Sequence, residues 1–267
     1  LTMSSGEISL TPTAPKQRQL LALLLAVPNS LVSVHTCVEE LWESNPPESA
    51  RSTLQTYVMH LRRSLARCPD SGGRAGAKRL LQTQDRGYRI AVLPGQLDTQ
   101  VFDDRVRRAR ALLATGDDRR GSALLAEALS VWRGPTLSGL TIGPVLQAHV
   151  VGLEEYRLTV LEQRIEADLR LGRHHELLQE LRALTTQHPV HENLHAQLMV
   201  ALYRSGRSAQ ALTAYRRLRQ VLSEELGLEP SPRMCRLHQA VLACDPALDA
   251  PVATDSPLSM DLRLKSA

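Results

Sequence analysis

Two Gly-Arg pairs stand 34 residues apart. GRHHELLQELRAL begins at Gly172 and GRSAQALTAYRRL at Gly206. Leu177, Leu178, Leu181 and Leu184 of the first segment align with Ala211, Leu212, Tyr215 and Leu218 of the second. Within each segment the apolar residues fall on one face of a helix. A helix pair of this length cannot bury its apolar face alone, so its neighbour must stack against it. The period predicts stacked helix–turn–helix units over this part of the chain. A third related stretch, TGDDRRGSALLAEAL, starts near Gly116, and the irregular WRGPTLSGLTIGP follows it.

Composition points the same way. Aromatic residues are 3% of the 267, with Phe102 the single phenylalanine, so the cores must be built mostly from Leu and Ala, which favours helices. A 34-residue helix–turn–helix period is that of a tetratricopeptide repeat, and such a stack leaves a concave face for partners.

The first third reads differently. LTMSSGEISLTPTAP predicts two short strands around a turn at Ser4–Gly6, ended by Pro12 and Pro15. KQRQLLALLLAVPN is a helix closed by Pro28 and Asn29. Ser33 is placed to cap a second helix, VHTCVEELW, and Asn45-Pro46-Pro47 breaks the chain before a third, from about Glu48 to Arg67. SGGRAGAK reads as a Gly-rich loop, and RLLQTQDRGYRIAV as a hairpin turning at Asp85-Arg86-Gly87. Helix, break, helix and basic hairpin in this order are the layout of a winged helix-turn-helix. The predicted fold is mainly α. A winged helix-turn-helix domain with small β-hairpins (1–97) precedes an α-helical tetratricopeptide-like domain (98–246) and a flexible tail (247–267).

The third helix, STLQTYVMHLRRSL, buries Leu54, Val58, Leu61 and Leu65 and shows a polar opposite side. Residues 1–97 hold 11 Lys/Arg against 7 Asp/Glu, whereas 98–267 hold 21 of each. The whole net charge of +4 therefore sits in the first third, where it attracts polyanions, nucleic acid above all. Between Ser49 and Arg67 there is no acidic residue, although helices exposed only to water usually mix signs. Ser52, Thr53, Thr56, His60 and Arg63 stand where base edges would lie, with Arg51, Arg62 and Tyr57 at the flanks where phosphates would, and Gln55 is a further DNA-binding candidate on this helix. Arg86, Gly87 and Tyr88 form the candidate wing, whose tip arginine suits a narrow minor groove. Lys16 and Arg18 are candidate phosphate contacts; a solvated helix start is the plainer account of them. Tyr57 and Tyr88 could equally be half-buried rings.

The catalytic motifs are weaker. HENLH (191–195) matches the zinc-protease H-E-x-x-H pattern, but it lies in the repeat region, where Leu194, Leu198 and Leu202 make the packing face. No P-loop and no G-x-S-x-G elbow occur. The sequence predicts no enzyme, no metal and no cofactor. Cys37, Cys68, Cys235 and Cys244 form no CxxC pair and read as reduced thiols, the first two in helices. The longest apolar run, LLALLLAV, is too short to span a bilayer, which points to a cytoplasmic protein without a membrane partner.

PKQRQLLALLL (15–25), STLQTYVMHLRRSL (52–65), RGYRI (86–90), RLTVLEQRIEADLRLGRHHELLQEL (157–181) and LYRSGRSAQALTAYRRLRQVLSEELGLEP (202–230) together resemble the Streptomyces antibiotic regulatory protein (SARP) family. The resemblance implies an OmpR-like winged helix followed by a bacterial transcriptional activation domain. It also implies a nucleoid-associated activator that binds direct repeats of double-stranded DNA upstream of secondary-metabolite promoters. Two protomers would lie side by side there and recruit RNA polymerase holoenzyme. On the same resemblance, Arg51–Arg63 is the recognition helix and Arg86–Tyr88 the wing. The competing expectation is a tetratricopeptide-type adaptor whose basic domain binds acidic proteins.

Overall fold

The computed structural model describes residues 1–249. The tail expected over 247–267 falls almost wholly outside them; Pro246–Leu248 form one 3-10 turn. The described chain divides into two compact units, 1–103 with 130–158, and 104–129 with 159 onward.

The first unit opens with strands β1 (Ser4–Ser5) and β2 (Ile8–Ser9), paired antiparallel around Gly6–Glu7. Helix α1 (Pro15–Ala26) starts on a proline, whose missing N–H costs nothing at the first helical position. Strand β3 (Val32–Ser33) leads straight into α2 (Val34–Trp42), and Ser33 caps it by accepting from the Thr36 N–H. Helix α3 (Ala50–Leu65) buries Ala50, Leu54, Val58, Leu61 and Leu65, the stripe expected from their spacing. Helix α4 (Gly73–Leu80) replaces the expected Gly-rich loop. Its Gly76 and Ala77 are buried, so small residues here allow close packing rather than looseness.

The hairpin is β4 (Leu81–Gln84) with β5 (Gly87–Ile90), joined by Asp85-Arg86. It is not a free two-stranded arm, because β3 pairs with the other edge of β5 in the order β3-β5-β4. Asn29 ties this sheet to the end of α1, exchanging side-chain hydrogen bonds with both backbone groups of Val92. Leu20, Leu21, Leu41, Leu54, Leu61, Leu81 and Ile90 meet in one aliphatic core, as the composition requires.

The remaining helices are α5 (Asp98–Ala114), α6 (Asp118–Leu129), α7 (Pro144–Arg170), α8 (His174–Gln187), α9 (Glu192–Arg204), α10 (Ser208–Leu226) and α11 (Pro232–Leu242). In the first unit, Phe102 meets Trp132 and Tyr156 edge to face, at 5.4 Å between centroids in each case. Buried Glu40 of α2 accepts from the backbone N–H groups of Gly143 (2.5 Å), Val145 (3.1 Å) and Leu146 (2.9 Å). A carboxylate there satisfies donors that the start of α7 cannot pair within itself, and it matches the helix dipole. Gln19 completes the site by donating to both the carboxylate and the carbonyl of Glu40.

The second unit is wholly helical among the described residues. Helices α8–α9 and α10–α11 are the two units read from the Gly-Arg pairs. Gly172 and Gly206 both take positive φ (77° and 72°), which turns the chain without a Cβ penalty. Leu177, Leu181, Leu198, Met199, Leu202, Tyr215 and Leu218 fill the core. A buried polar network joins α6, α7 and the turn before α8: Asp168 accepts from Ser122 (2.6 Å), Arg164 (3.1 Å) and Arg173 (2.9 Å).

Candidate nucleic-acid interface

On α3 the side opposite the core carries Arg51, Ser52, Gln55, Thr56, Met59 and Arg63, all exposed, with Thr53 and His60 half-buried beside them. The hydroxyls of Ser52 and Thr56 donate back to the carbonyls of Ser49 (2.9 Å) and Ser52 (3.1 Å). Their donors are thus committed and their oxygens face outward as acceptors, suited to the amino groups of cytosine or adenine. Arg51 and Arg63 enter no ion pair among the described residues.

Arg62 has a different task. Its Nε donates to the Leu81 carbonyl and its Nη2 to the Thr83 hydroxyl, both at 2.8 Å. Arg62, expected at phosphate, here clamps α3 to β4 and engages two donors of its guanidinium in doing so. Tyr57 is also half-withdrawn, its ring stacked on Trp42 at 6.3 Å between centroids. Lys16 donates to the Leu41 carbonyl at the end of α2, which holds its ammonium there without a carboxylate partner among the described residues. Arg18 is half-buried, its Nε shielded without an acceptor among the described residues.

The three candidate wing residues differ in exposure. Arg86 is exposed at the tip, but Gly87 is buried and Tyr88 is only 5% exposed. A Cβ on Gly87 would lie 2.1 Å from the Val32 carbonyl oxygen, so its glycine serves the β3–β5 approach. Tyr88 packs in the core, and burial pushes its phenol above the ordinary value. The third strand, unseen in the sequence, covers Gly87 and Tyr88, so that Tyr88 takes the inward of its two expected placements. The Arg86 carbonyl accepts from the Val34 N–H (2.9 Å), so the tip is anchored while its side chain stays in solvent.

Sequence reasoning also missed α4. It exposes Arg74, Lys78 and Arg79, close in sequence to exposed Arg67 at the end of α3. The signal was the basic run itself, obscured by its glycines.

HENLH is occupied structurally. His191 pairs with Glu162 (2.9 Å), Glu192 accepts from the Ser231 backbone and hydroxyl, and His195 donates to the Pro189 carbonyl. Burial holds the His195 ring below its ordinary pKa. Among the described residues no group of three metal-ligating side chains forms, and no helix is long and apolar enough to cross a membrane. All four cysteines are free; Cys68 lies just beyond α3 rather than within it.

Two family models match the chain: "Transcriptional regulatory protein, C terminal" over residues 6–90 and "Bacterial transcriptional activator domain" over 97–242. The regulatory protein DnrI of Streptomyces peucetius is 44% identical over 90% of this chain and 89% of its own length. The chain belongs to the SARP family. Like its relatives, this SARP is a regulator of transcription. The regulatory protein AfsR of Streptomyces griseus is 34% identical over 97% of the chain, which spans only 25% of AfsR. The solved structure of Mycobacterium tuberculosis EmbR, in complex with a low affinity phosphopeptide, matches at a TM-score of 0.85 and 31% identity. It covers 95% of this chain, and the chain covers 64% of it. The fold is therefore that of a winged helix followed by tetratricopeptide-like helices.

Proposed function

We propose that this SARP is a sequence-specific DNA-binding activator. Its DNA-binding domain would be residues 1–97 and its activation domain 98–246. Helix α3 enters a major groove, where Ser52, Thr53, Gln55, Thr56, His60 and Arg63 meet base edges and Arg51 meets phosphate. Arg86 at the β4–β5 tip enters the adjacent minor groove. The observation that carries this reading is the outer face of α3, where cations without carboxylate partners surround short acceptor hydroxyls. Phosphate contacts supply most of the affinity, and each one lost lowers the salt dependence by about 0.9 in log K against log salt. Two protomers bind side by side on a direct repeat upstream of biosynthetic promoters and recruit RNA polymerase holoenzyme. The Streptomyces regulatory relatives support this, as does the matched activator domain. The protein works in the cytoplasm, on the nucleoid.

The test is selection of bound fragments from the source genome at moderate salt, comparing wild type with Arg86→Ala. Enrichment of a few upstream regions carrying a spaced direct repeat is expected, weakened in the variant. Uniform binding or none would favour the adaptor reading, in which the basic unit meets acidic proteins.

A further inference from the structure

Met59 sits near the middle of α3, on the same side as Ser52, Thr56 and Arg63, and is 50% exposed. The other large aliphatic side chains of this helix, Leu54, Val58, Leu61 and Leu65, are buried. Met59 alone among them faces outward, with Thr56 and Arg63 one turn before and after it. Its neighbours Ser52 and Thr56 are short, and their hydroxyls are turned back onto the helix, so the thioether stands above them. The exposed cations Arg51 and Arg63 on the same helix draw a polyanion to this surface.

An apolar group on a basic, acceptor-rich surface needs an apolar counterpart on a polyanion. In the major groove of B-DNA the C5-methyl group of thymine is that counterpart, the one alkyl substituent that the base pairs display there. The unbranched, polarizable methionine adapts its rotamers to such a contact. We propose that Met59 packs against the C5-methyl of a thymine and is a specificity-determining residue of this SARP. It selects T·A by apolar contact, while Arg63 and the hydroxyls select their bases by hydrogen bonding. The inference rests on the reading of α3 as the recognition helix.

The experiment uses the full chain and the fragment recovered by genomic selection, resynthesised with deoxyuridine for each thymidine in turn. That exchange removes one methyl group and leaves base pairing unchanged. At one thymidine in the recognised sequence, wild-type binding should weaken about fourfold, the worth of one buried methyl group. Met59→Ala should bind thymidine and deoxyuridine alike at that position, and Met59→Leu should restore the preference. Selective binding by wild type, relaxed by Arg63→Ala, without any methyl effect that depends on Met59 overturns this inference and leaves the recognition helix standing. Loss of self-association in Met59→Ala without DNA, together with an unchanged methyl effect, overturns it in favour of a contact between copies. No selective binding at all removes both readings together.

Discussion

Arginines in residues 1–97 and in the second compact unit keep different company. In the second unit Arg164 pairs with Asp168 and Glu180, Arg170 with Asp118 and Glu166, Arg173 with Asp168, and Arg219 with Glu229. In residues 1–97 no arginine pairs with a carboxylate among the described residues. The same side chain is a fold element where acids balance it and an available charge where they do not. Net charge alone would not separate these cases; the local absence of acid does. A free cation in water adds little to stability, so its retention on α3 calls for another account.

Breaking the paired side should show the largest effect. Asp168→Ala leaves Arg164 and Arg173 without their shared, buried acceptor and should cost about 3–5 kcal/mol in urea unfolding. A cost below about 1 kcal/mol would mean that the network does not hold the second unit together. On the unpaired side, Arg63→Ala should leave the unfolding midpoint alone and lose about 1–3 kcal/mol of discrimination between cognate and altered sites. An equal loss on all sequences would reassign Arg63 to phosphate.

Arg62 lies between the classes, a cation held by neutral acceptors. Arg62→Ala should cost about 1–2 kcal/mol of stability through the bonds to Leu81 and Thr83. Its salt slope for DNA should stay unchanged, whereas a slope shallower by about 0.9 would restore the phosphate role. The smallest effect belongs to a buried group outside any ion pair. Burial pushes the Cys37 thiol up to about 12 from an ordinary 9.0. Between these values the unfolded chain releases a proton that the folded chain keeps, so stability falls as pH rises through the window. The loss should reach about 0.8 kcal/mol at pH 9.5, relative to pH 8, and be missing from the same comparison in Cys37→Ala.

Most of the helices were legible because their apolar spacing is local information. Ser33 as a cap, the buried stripe of α3 and the Gly172 and Gly206 turns all follow from residues within a few positions of one another. Helix α4 escaped because Gly73 and Gly76 lower helix propensity, a cost that tertiary packing of Gly76 and Ala77 overrides. Within the candidate site, exposure of Arg51, Ser52, Gln55, Thr56 and Arg63 was readable from helical phase. The fates of Arg62, Lys16, Gly87 and Tyr88 were not, since each depends on a partner distant in sequence.

By itself the sequence determined a helical protein with a basic N-terminal third, a repeat of stacked helices, and an acid-free helix face carrying Arg51 and Arg63. Only the tertiary structure decided which cations remain free and which side chains of the wing face solvent. It brought β3 against β5, Arg62 onto β4 and Glu40 to the start of α7. The physical reason is that periodicity fixes the direction of a side chain about its own helix or strand. Whether that direction ends in water or on another backbone is settled by long-range pairing, where most buried polar groups find their partners.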